Sequence, residues 1–219
     1  MSLKFPVSLV GKRGGGAPDV DLTANIIRWF ENFQTPDESA GLEGINTAGI
    51  PSSTVNIPSP FTTAYAPVKD PIWVSTGAFN PADITSYTYF MVTRLTSNGF
   101  GRTVWSTGSS GTTGDTMREK SGGGYECKAD GGSFATVSAS LNVWHSFVFV
   151  KTGNTLSIYR DGILVATPSG VTPDNSASWR TWDSQKTNLL VFGSADRAWT
   201  QDDIDAFHNG GSFVRWADL

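Results

Sequence analysis

The sequence predicts an all-β protein, a jelly-roll β-sandwich with a short C-terminal helix. Three observations support this fold class. Residues 144–166 hold three short apolar segments separated by turn-forming pairs, and residues 86–95 alternate large apolar side chains as one long strand does. Glycine (24 residues) and proline (11 residues) are frequent enough to supply the many turns that a sandwich of 219 residues needs.

The chain divides into an arm and one domain. Residues 1–22 form an extended N-terminal arm, because the segment from Gly11 to Gly16 (Gly-Lys-Arg-Gly-Gly-Gly) is flexible and lightly basic. Residues 23–219 form the sandwich domain, which is long enough to bury one sizeable core. We expect another subunit to hold the arm in place, since a glycine-rich terminus is seldom ordered alone.

The first part of the domain is rich in loops. Residues 25–33 have a spacing of apolar side chains that would also suit a helix, and we assign them to the first strand. Four prolines between residues 34 and 60 exclude a long regular element in that stretch. Residues 72–75 (Ile-Trp-Val-Ser) form the next short strand.

The long alternating segment, residues 86–95, is predicted to be a central strand. Tyr87 and Tyr89 share one face, whereas Phe90 and Val92 share the other. Apolar side chains on both faces are typical of a strand that is covered on both sides.

Shorter strands follow along the chain. Residues 102–106 pair next, and residues 107–124 form a loop rich in glycine, serine and threonine. Residues 125–129 and 133–138 form a hairpin across Asp130-Gly-Gly, and residues 188–193 form the last strand.

The three strands within residues 144–166 are joined by two tight turns. Asp161-Gly162 suits a two-residue hairpin, because both turn positions need a positive φ and these residues tolerate it. Gly153-Asn154 can form the first turn in the same way.

One helix is expected near the C-terminus. Thr200 can cap it, and Asp203 stands three residues later, as in a capping box. Trp199 and Ile204 occupy the positions of a hydrophobic staple, and Gly210-Gly211 ends the helix.

The pair Trp144-His145, the run Leu-Ser-Ile-Tyr-Arg-Asp-Gly and the apolar strand after it resemble the central meander of laminin-G-like domains. These domains belong to the concanavalin-A-like lectin/glucanase superfamily. The resemblance covers roughly residues 25–210 and implies a concanavalin-A-like jelly roll, a fold that binds surfaces and glycans more often than it catalyses. One strand that the family usually places before its C-terminal helix has no counterpart in the sequence.

No catalytic residue, cofactor or metal site is predicted. Jelly-roll glycosidases need two close carboxylates on one strand, and the five glutamates stand apart in the sequence, so we expect the protein not to be an enzyme. His145, at a strand start, and His208, in the last helical turn, are interpreted as structural residues. Cys127 is interpreted as a small packed side chain.

Residues 178–183 form the candidate binding surface. Trp179 and Trp182 lie in a predicted loop together with Arg180 and Asp183. Aromatic faces stack on sugar rings, and flanking charges fix hydroxyl groups by hydrogen bonds. Tryptophan is also enriched at protein interfaces, so the other interpretation is that these residues cover the open edge of the sandwich or contact a protein partner, and we weight this above a glycan.

Net charge and cysteine content indicate which classes of partner and which cellular compartment to expect. A net charge of -4 argues against a nucleic-acid partner, and no apolar run is long enough for a transmembrane helix. A single cysteine and no recognisable signal peptide indicate synthesis in a reducing cytosol.

The expected fold is typical of extracellular proteins, but the chain is expected to be made in the cytosol. This combination suggests a structural or accessory protein of a tailed-phage virion, in the capsid or in a tail or fibre. We expect it to be homo-oligomeric and to contact other virion proteins through its arm. The alternative is a glycan-binding module, either of a phage or of an extracellular, secreted bacterial protein.

Overall fold

Two antiparallel β-sheets stack face to face in the computed structural model. It describes residues 20–31, 52–53, 56–59, 61–62, 64–65, 84–98, 101–107, 114–171, 180–181 and 186–219. Most of the predicted arm (residues 1–22) and the predicted strand at residues 72–75 lie outside these described residues, so the division into arm and domain stays a prediction.

The large sheet is built mainly from the long strands of the chain. Its order is β11-β10-β9-β4-β13-β3-β2, and β1 also pairs with β13. These strands are β1 (Ile26–Glu31), β2 (Ser52–Ser53), β3 (Ala64–Tyr65), β4 (Ser86–Leu95), β9 (Trp144–Thr152), β10 (Thr155–Arg160), β11 (Ile163–Ala166) and β13 (Thr187–Ala195).

The small sheet has the order β12-β5-β6-β7-β8. Its strands are β5 (Thr103–Ser106), β6 (Thr116–Glu119), β7 (Tyr125–Lys128), β8 (Ala135–Val137) and β12 (Arg180–Thr181). A single α-helix among the described residues, α1 (Gln201–His208), follows β13. None of the described helices is long and apolar enough to cross a membrane.

The structure confirms the predicted sandwich and most of its strands. The predicted central strand matches β4, and residues 144–166 form the meander β9-β10-β11. The predicted loop at residues 107–124 is partly wrong, because β6 lies within it and pairs with β5 and β7. The alternation of β6 was hidden because Glu119, a polar residue, faces inward beside Met117.

The C-terminal helix is also confirmed, with one correction at its end. Thr200 and Asp203 form the predicted capping box. The left-handed residue that ends the helix is Asn209 (φ 47°), not glycine. Asparagine is the non-glycine residue that best tolerates this conformation at a helix end.

Both faces of the large sheet are buried, which gives the protein two cores. We call the first the inter-sheet core; Tyr89, Phe149 and Leu189 of the large sheet pack there on Trp105 and Met117 of the small sheet. The free thiol of Cys127 is also buried in this core, and burial raises its pKa well above the ordinary value.

The second core, the helix-side core, lies on the opposite face of the large sheet. Phe90 is its centre: the ring centroids of Trp29 and Trp199 are each 4.8 Å from that of Phe90, and the centroid of Phe207 is 5.1 Å away. Phe207 and Ile204 come from α1, so the helix covers this face. Trp199 and Ile204, the predicted staple residues, are both buried in this core.

A β-bulge in β13 adapts that strand to both cores. The register with β4 shifts between Leu189 and Val191. A bulge inserts one extra residue and reverses the alternation of side chains beyond it. As a result Leu189 and Phe192 both face the inter-sheet core, although three positions separate them, whereas Leu190 faces the helix-side core.

A buried ion pair joins the two sheets at one end of the inter-sheet core. Lys151 of β9 and Asp115, next to β6, have fully buried side chains, and Lys151 Nζ lies 3.1 Å from Asp115 Oδ1. The hydroxyl of Tyr87 donates to the other carboxylate oxygen. The backbone N–H of Asp130 donates to Asp115 Oδ1 over 2.7 Å, so the carboxylate is well satisfied.

We predict that Lys151→Met lowers the free energy of unfolding by about 3 kcal/mol or more, because it leaves Asp115 as an unpaired buried charge. Chemical denaturation followed by tryptophan fluorescence measures the change. Lys120→Met, at a solvent-accessible lysine of the small sheet, is the matched control and should change stability by less than about 0.5 kcal/mol. Equal midpoints for the two variants would show that the ion pair is dispensable.

Candidate ligand-binding pocket

A shallow pocket lies where the turn between β10 and β11 meets helix α1. Its volume is about 220 Å³. Its walls are Asp161, Gly162 and Ile163 from the turn and β11, and Asp205, His208 and Gly210 from the helix and the segment after it.

The turn has the conformation that the sequence predicts. Asp161 (φ 54°) and Gly162 (φ 80°) are both left-handed, and Arg160 pairs with Ile163 across the two-residue loop. The fit is also close here, because a Cβ at Gly162 would lie 3.3 Å from Asp205 Oδ1, and the Asp205 side chain would have to shift slightly to accept it. The absence of a side chain at this position lets the turn approach the helix.

Asp161 is held by β9. His145 Nδ1 lies 2.7 Å from Asp161 Oδ2, and the backbone N–H of Ser146 donates to Asp161 Oδ1 over 3.1 Å. His145 Nε2 accepts from the backbone N–H of Ser140, so Nδ1 carries the proton that is donated to Asp161. The interpretation of His145 as a structural residue therefore agrees with its contacts.

The ionised form of Asp161 is favoured. Burial alone would raise the pKa of this carboxyl, but the hydrogen bond and the charge interaction with His145 lower it below its ordinary value. The backbone N–H of Ser146 and the charge interaction with His208 act in the same direction. The pocket therefore carries a fixed negative charge at neutral pH.

The helix wall is fixed from its N-terminus. Arg197 donates from Nη1 and Nη2 to the two carboxylate oxygens of Asp203 over 2.7 and 2.8 Å. The same guanidinium donates to the carbonyl oxygens of Asp21 and Ala24, which lie ahead of β1. The backbone N–H of Thr200 donates to Asp203 over 2.7 Å, so the helix start, the end of β13 and the chain before β1 are tied together.

Both ends of the helix make further contacts: its last residue, His208, contacts β9, and its first residue, Gln201, contacts the turn. His208 Nδ1 lies 3.0 Å from Ser146 Oγ. Gln201 Nε2 donates to the carbonyl of Gly162 and to Asp205 Oδ1, each over 2.8 Å. Gln201 thereby bridges the two walls of the pocket.

The Ser146–His208 pair could suggest a nucleophile and its base, but its burial excludes that role. Ser146 is only 1% exposed, so its hydroxyl cannot reach a substrate in the pocket. We interpret the pair as an anchor of the helix end. Sequence reasoning missed it, because 62 residues separate its members and no motif connects them.

The pocket suits a ligand with several hydroxyl groups. The carboxylates of Asp161 and Asp205 accept hydrogen bonds from hydroxyls, and Ile163, which is 67% exposed, offers an apolar surface beside them. Among the described residues, no three His, Cys, Asp or Glu side chains converge in the way that a metal ion requires.

Of the candidate surface at residues 178–183, the structure describes only the backbone of Arg180 and Thr181. Trp179, Trp182 and Asp183 lie outside the described residues. The backbone of Arg180 does not form the predicted loop, because Arg180–Thr181 pair with β5 as an edge strand of the small sheet. A binding role for these four residues stays a prediction.

Two glutamates that are close in sequence, Glu119 and Glu126, are not a catalytic pair. Glu119 is buried on the inner side of the small sheet, where Thr187 Oγ1 donates to it over 2.9 Å. Glu126 pairs with Arg118 on the outer side. The sheet separates the two carboxylates, so they cannot act on one glycosidic bond.

No protein-family model matches the chain, and the curated proteins gave no match. Solved structures do match in fold. The binding domain of botulinum neurotoxin DC in complex with rat synaptotagmin II has a TM-score of 0.62 and 15% identity, over 86% of this chain and 52% of the toxin chain. The same kind of toxin domain in complex with SialylT gives a TM-score of 0.62 and 18% identity, over 86% and 52% of the two chains.

An enzyme shares the fold as well. Trypanosoma rangeli sialidase in complex with sialic acid has a TM-score of 0.56 and 8% identity, over 84% of this chain and 32% of the sialidase. This chain therefore spans about half the length of the toxin chains and about a third of the sialidase. At such low identities the similarity confirms the all-β sandwich and shows the fold alone.

We predict that Asp161→Asn destabilises the protein by about 1–2 kcal/mol at pH 7, because the charge-assisted bond from His145 is lost while asparagine keeps the left-handed turn. The pKa of Asp161 is lowered in the folded state, so its charge contributes stability above its ordinary pKa of 3.8. The difference between wild type and variant should shrink as the pH falls below that value and through the lower pKa of the folded state.

Urea denaturation between pH 7 and pH 2.5 measures this difference. Asp218→Asn, at an exposed aspartate near the C-terminus, is the control and should show no such trend. A difference between wild type and Asp161→Asn that is independent of pH would mean that the charge of Asp161 is not involved.

Proposed function

We propose that the chain is a non-enzymatic carbohydrate-binding module, and that the pocket between α1 and the β10–β11 turn binds a neutral sugar. One observation carries the proposal: two carboxylates, an imidazole and an exposed aliphatic side chain converge on a single concave site. Sugar recognition needs this mixture, because each ring presents hydroxyl groups on its edge and C–H groups on its face.

The dimensions favour a single ring. A volume of about 220 Å³ is below the range of about 300–1,000 Å³ that is usual for pockets of drug-sized ligands. The pocket is therefore suited to one sugar unit, such as a chain terminus, rather than to a long segment of a polysaccharide.

The charge of the pocket selects against acidic sugars. Asp161 is ionised at neutral pH, and Asp205 is an exposed carboxylate on the facing wall. A carboxylate or sulfate on the ligand would be repelled by both groups. Neutral hexoses, whose hydroxyls donate to carboxylates, fit the site best.

The similar structures support a carbohydrate as the ligand class. One is a toxin binding domain in complex with SialylT, and another is a sialidase in complex with sialic acid. The toxin domains are binding domains, and this chain matches only 32% of the sialidase, which favours binding over catalysis. We also propose that the chain belongs to the concanavalin-A-like superfamily, as a laminin-G-like module, and that it acts outside the cell.

The virion role stays a prediction from the sequence. The similar structures named above are toxin domains and a sialidase, and they give no support to a capsid, tail or fibre protein. The same holds for homo-oligomerisation and for an assembly contact through residues 1–22. The glycan-binding alternative has the stronger support.

We predict that Asp205→Asn weakens sugar binding at least fivefold, because a charged acceptor of ligand hydroxyls is replaced by a neutral amide. A glycan array with the wild-type protein first identifies the sugar, and isothermal titration calorimetry then compares the variants. Asp202→Asn is the matched control, since Asp202 is an exposed aspartate of the same helix that does not line the pocket.

The control should bind within twofold of wild type, and both variants should keep the wild-type melting temperature. The proposal fails if the array shows no neutral sugar, or if Asp202→Asn and Asp205→Asn weaken binding equally.

A further inference from the structure

The outer face of the small sheet carries a cluster of cations. Met117, Tyr125, Cys127 and Val137 of β6, β7 and β8 point into the inter-sheet core. Side chains alternate along a strand, so the intervening residues point away from the core. These residues, which we call the basic face, are Arg118, Lys120, Glu126, Lys128, Phe134 and Thr136.

The strand register places these side chains close together. Arg118 of β6 pairs with Glu126 of β7, which pairs with Thr136 of β8. Lys120 stands two positions after Arg118, about 7 Å further along the chain direction. The basic face therefore spans three adjacent strands.

Arg118 is held in place before any ligand arrives. Its guanidinium carbon lies 3.7 Å from the centre of the Phe134 ring. Its Nε and Nη2 both contact Glu126 Oε2, at 2.9 and 2.7 Å. Nη1 makes no hydrogen bond with any described residue, so this edge of the guanidinium can donate to a ligand.

Lys120 is held in a similar way. Its Nζ donates to Thr136 Oγ1 over 3.0 Å, which uses one of the three donors of the ammonium group. Lys128 adds a third cation, with its Nζ 5.4 Å from the centre of the Phe134 ring.

The charge of this face is opposite to that of the whole chain. The face combines three cations with one carboxylate, Glu126, whereas the chain has a net charge of -4. Asp130, two residues beyond the end of β7, is a second carboxylate near this face, and its Oδ1 accepts from the backbone N–H groups of Gly114 and Gly131. Among the described residues, cations therefore outnumber carboxylates on this face, although the chain as a whole is acidic.

We propose that the basic face binds an acidic polysaccharide, whose carboxylate or sulfate groups accept hydrogen bonds from Arg118 Nη1 and Lys120 Nζ. Arginine forks and ammonium groups are the side chains that recognise such anions. Their spread over neighbouring strands fits a polymer with repeated charges better than a single small ion. This site lies on the small sheet and goes beyond the neutral-sugar pocket, which borders the large sheet.

The test uses two pairs of polymers that differ only in charge. Polygalacturonate is compared with its neutral methyl ester, and dextran sulfate with dextran, which separates carboxylate from sulfate recognition. Binding of the full-length chain is measured by biolayer interferometry at two salt concentrations, because salt screens exposed charges. Poly-glutamate and double-stranded DNA serve as anionic competitors that are not polysaccharides.

The variants are Arg118→Gln and Lys120→Met, with Arg215→Gln as the control for a lost positive charge elsewhere. We expect at least one charged polysaccharide to bind and its neutral counterpart not to bind. Each variant of the basic face should weaken binding about tenfold, the loss of one charge-assisted hydrogen bond, and Arg215→Gln less than twofold. Asp205→Asn should not weaken it, which separates this site from the neutral-sugar pocket.

Binding of neither charged polymer would overturn the proposal. Equal effects of Arg118→Gln and Arg215→Gln would show attraction to general charge and would overturn it too. Displacement by poly-glutamate or DNA at matched charge concentration would assign the face to another class of partner. Melting temperatures of all variants confirm that the fold is intact.

Discussion

The burial of strand β4 on both faces is the constraint on which the rest of the structure depends. Neighbouring side chains of this strand, Tyr89 and Phe90, belong to two different cores. A sheet that is apolar on both sides needs a cover on each. The small sheet covers one side. Helix α1, together with the segments before β1 and after the helix, covers the other.

The pocket follows from the way in which that second cover is attached. Phe207 must lie over Phe90, which brings the C-terminal end of α1 beside the β10–β11 turn. The same packing places His208 against Ser146, and it brings Asp205 close to the turn at Gly162. The position of the candidate site is therefore set by core packing. Its polar residues lie at the margin of helix α1, which covers the helix-side core.

The elements that could be predicted from the sequence are those with a clear local pattern of residues. Strict alternation identified β4, and turn-forming pairs identified the meander from β9 to β11. Strand β6 was missed because its inward-facing Glu119 breaks the apolar pattern, although Thr187 donates a hydrogen bond to Glu119 Oε1 in the core. The pocket and the basic face could not be predicted, because Asp161 and Asp205, like Arg118 and Phe134, meet only through tertiary packing or strand register.

The position of β13 has a consequence for biosynthesis. This strand lies between β4 on one side and β1 and β3 on the other, and its Ala195 pairs with Ile26, which precedes β4 in the sequence. During translation, the edge of β4 that pairs with β13 stays unpaired until β13 leaves the ribosome, because no earlier strand occupies the position of β13 in the final sheet. Pairings between distant segments form slowly, and an unpaired apolar edge invites aggregation. The nascent chain therefore exposes that apolar edge until residues 187–195 have been made and have paired with it.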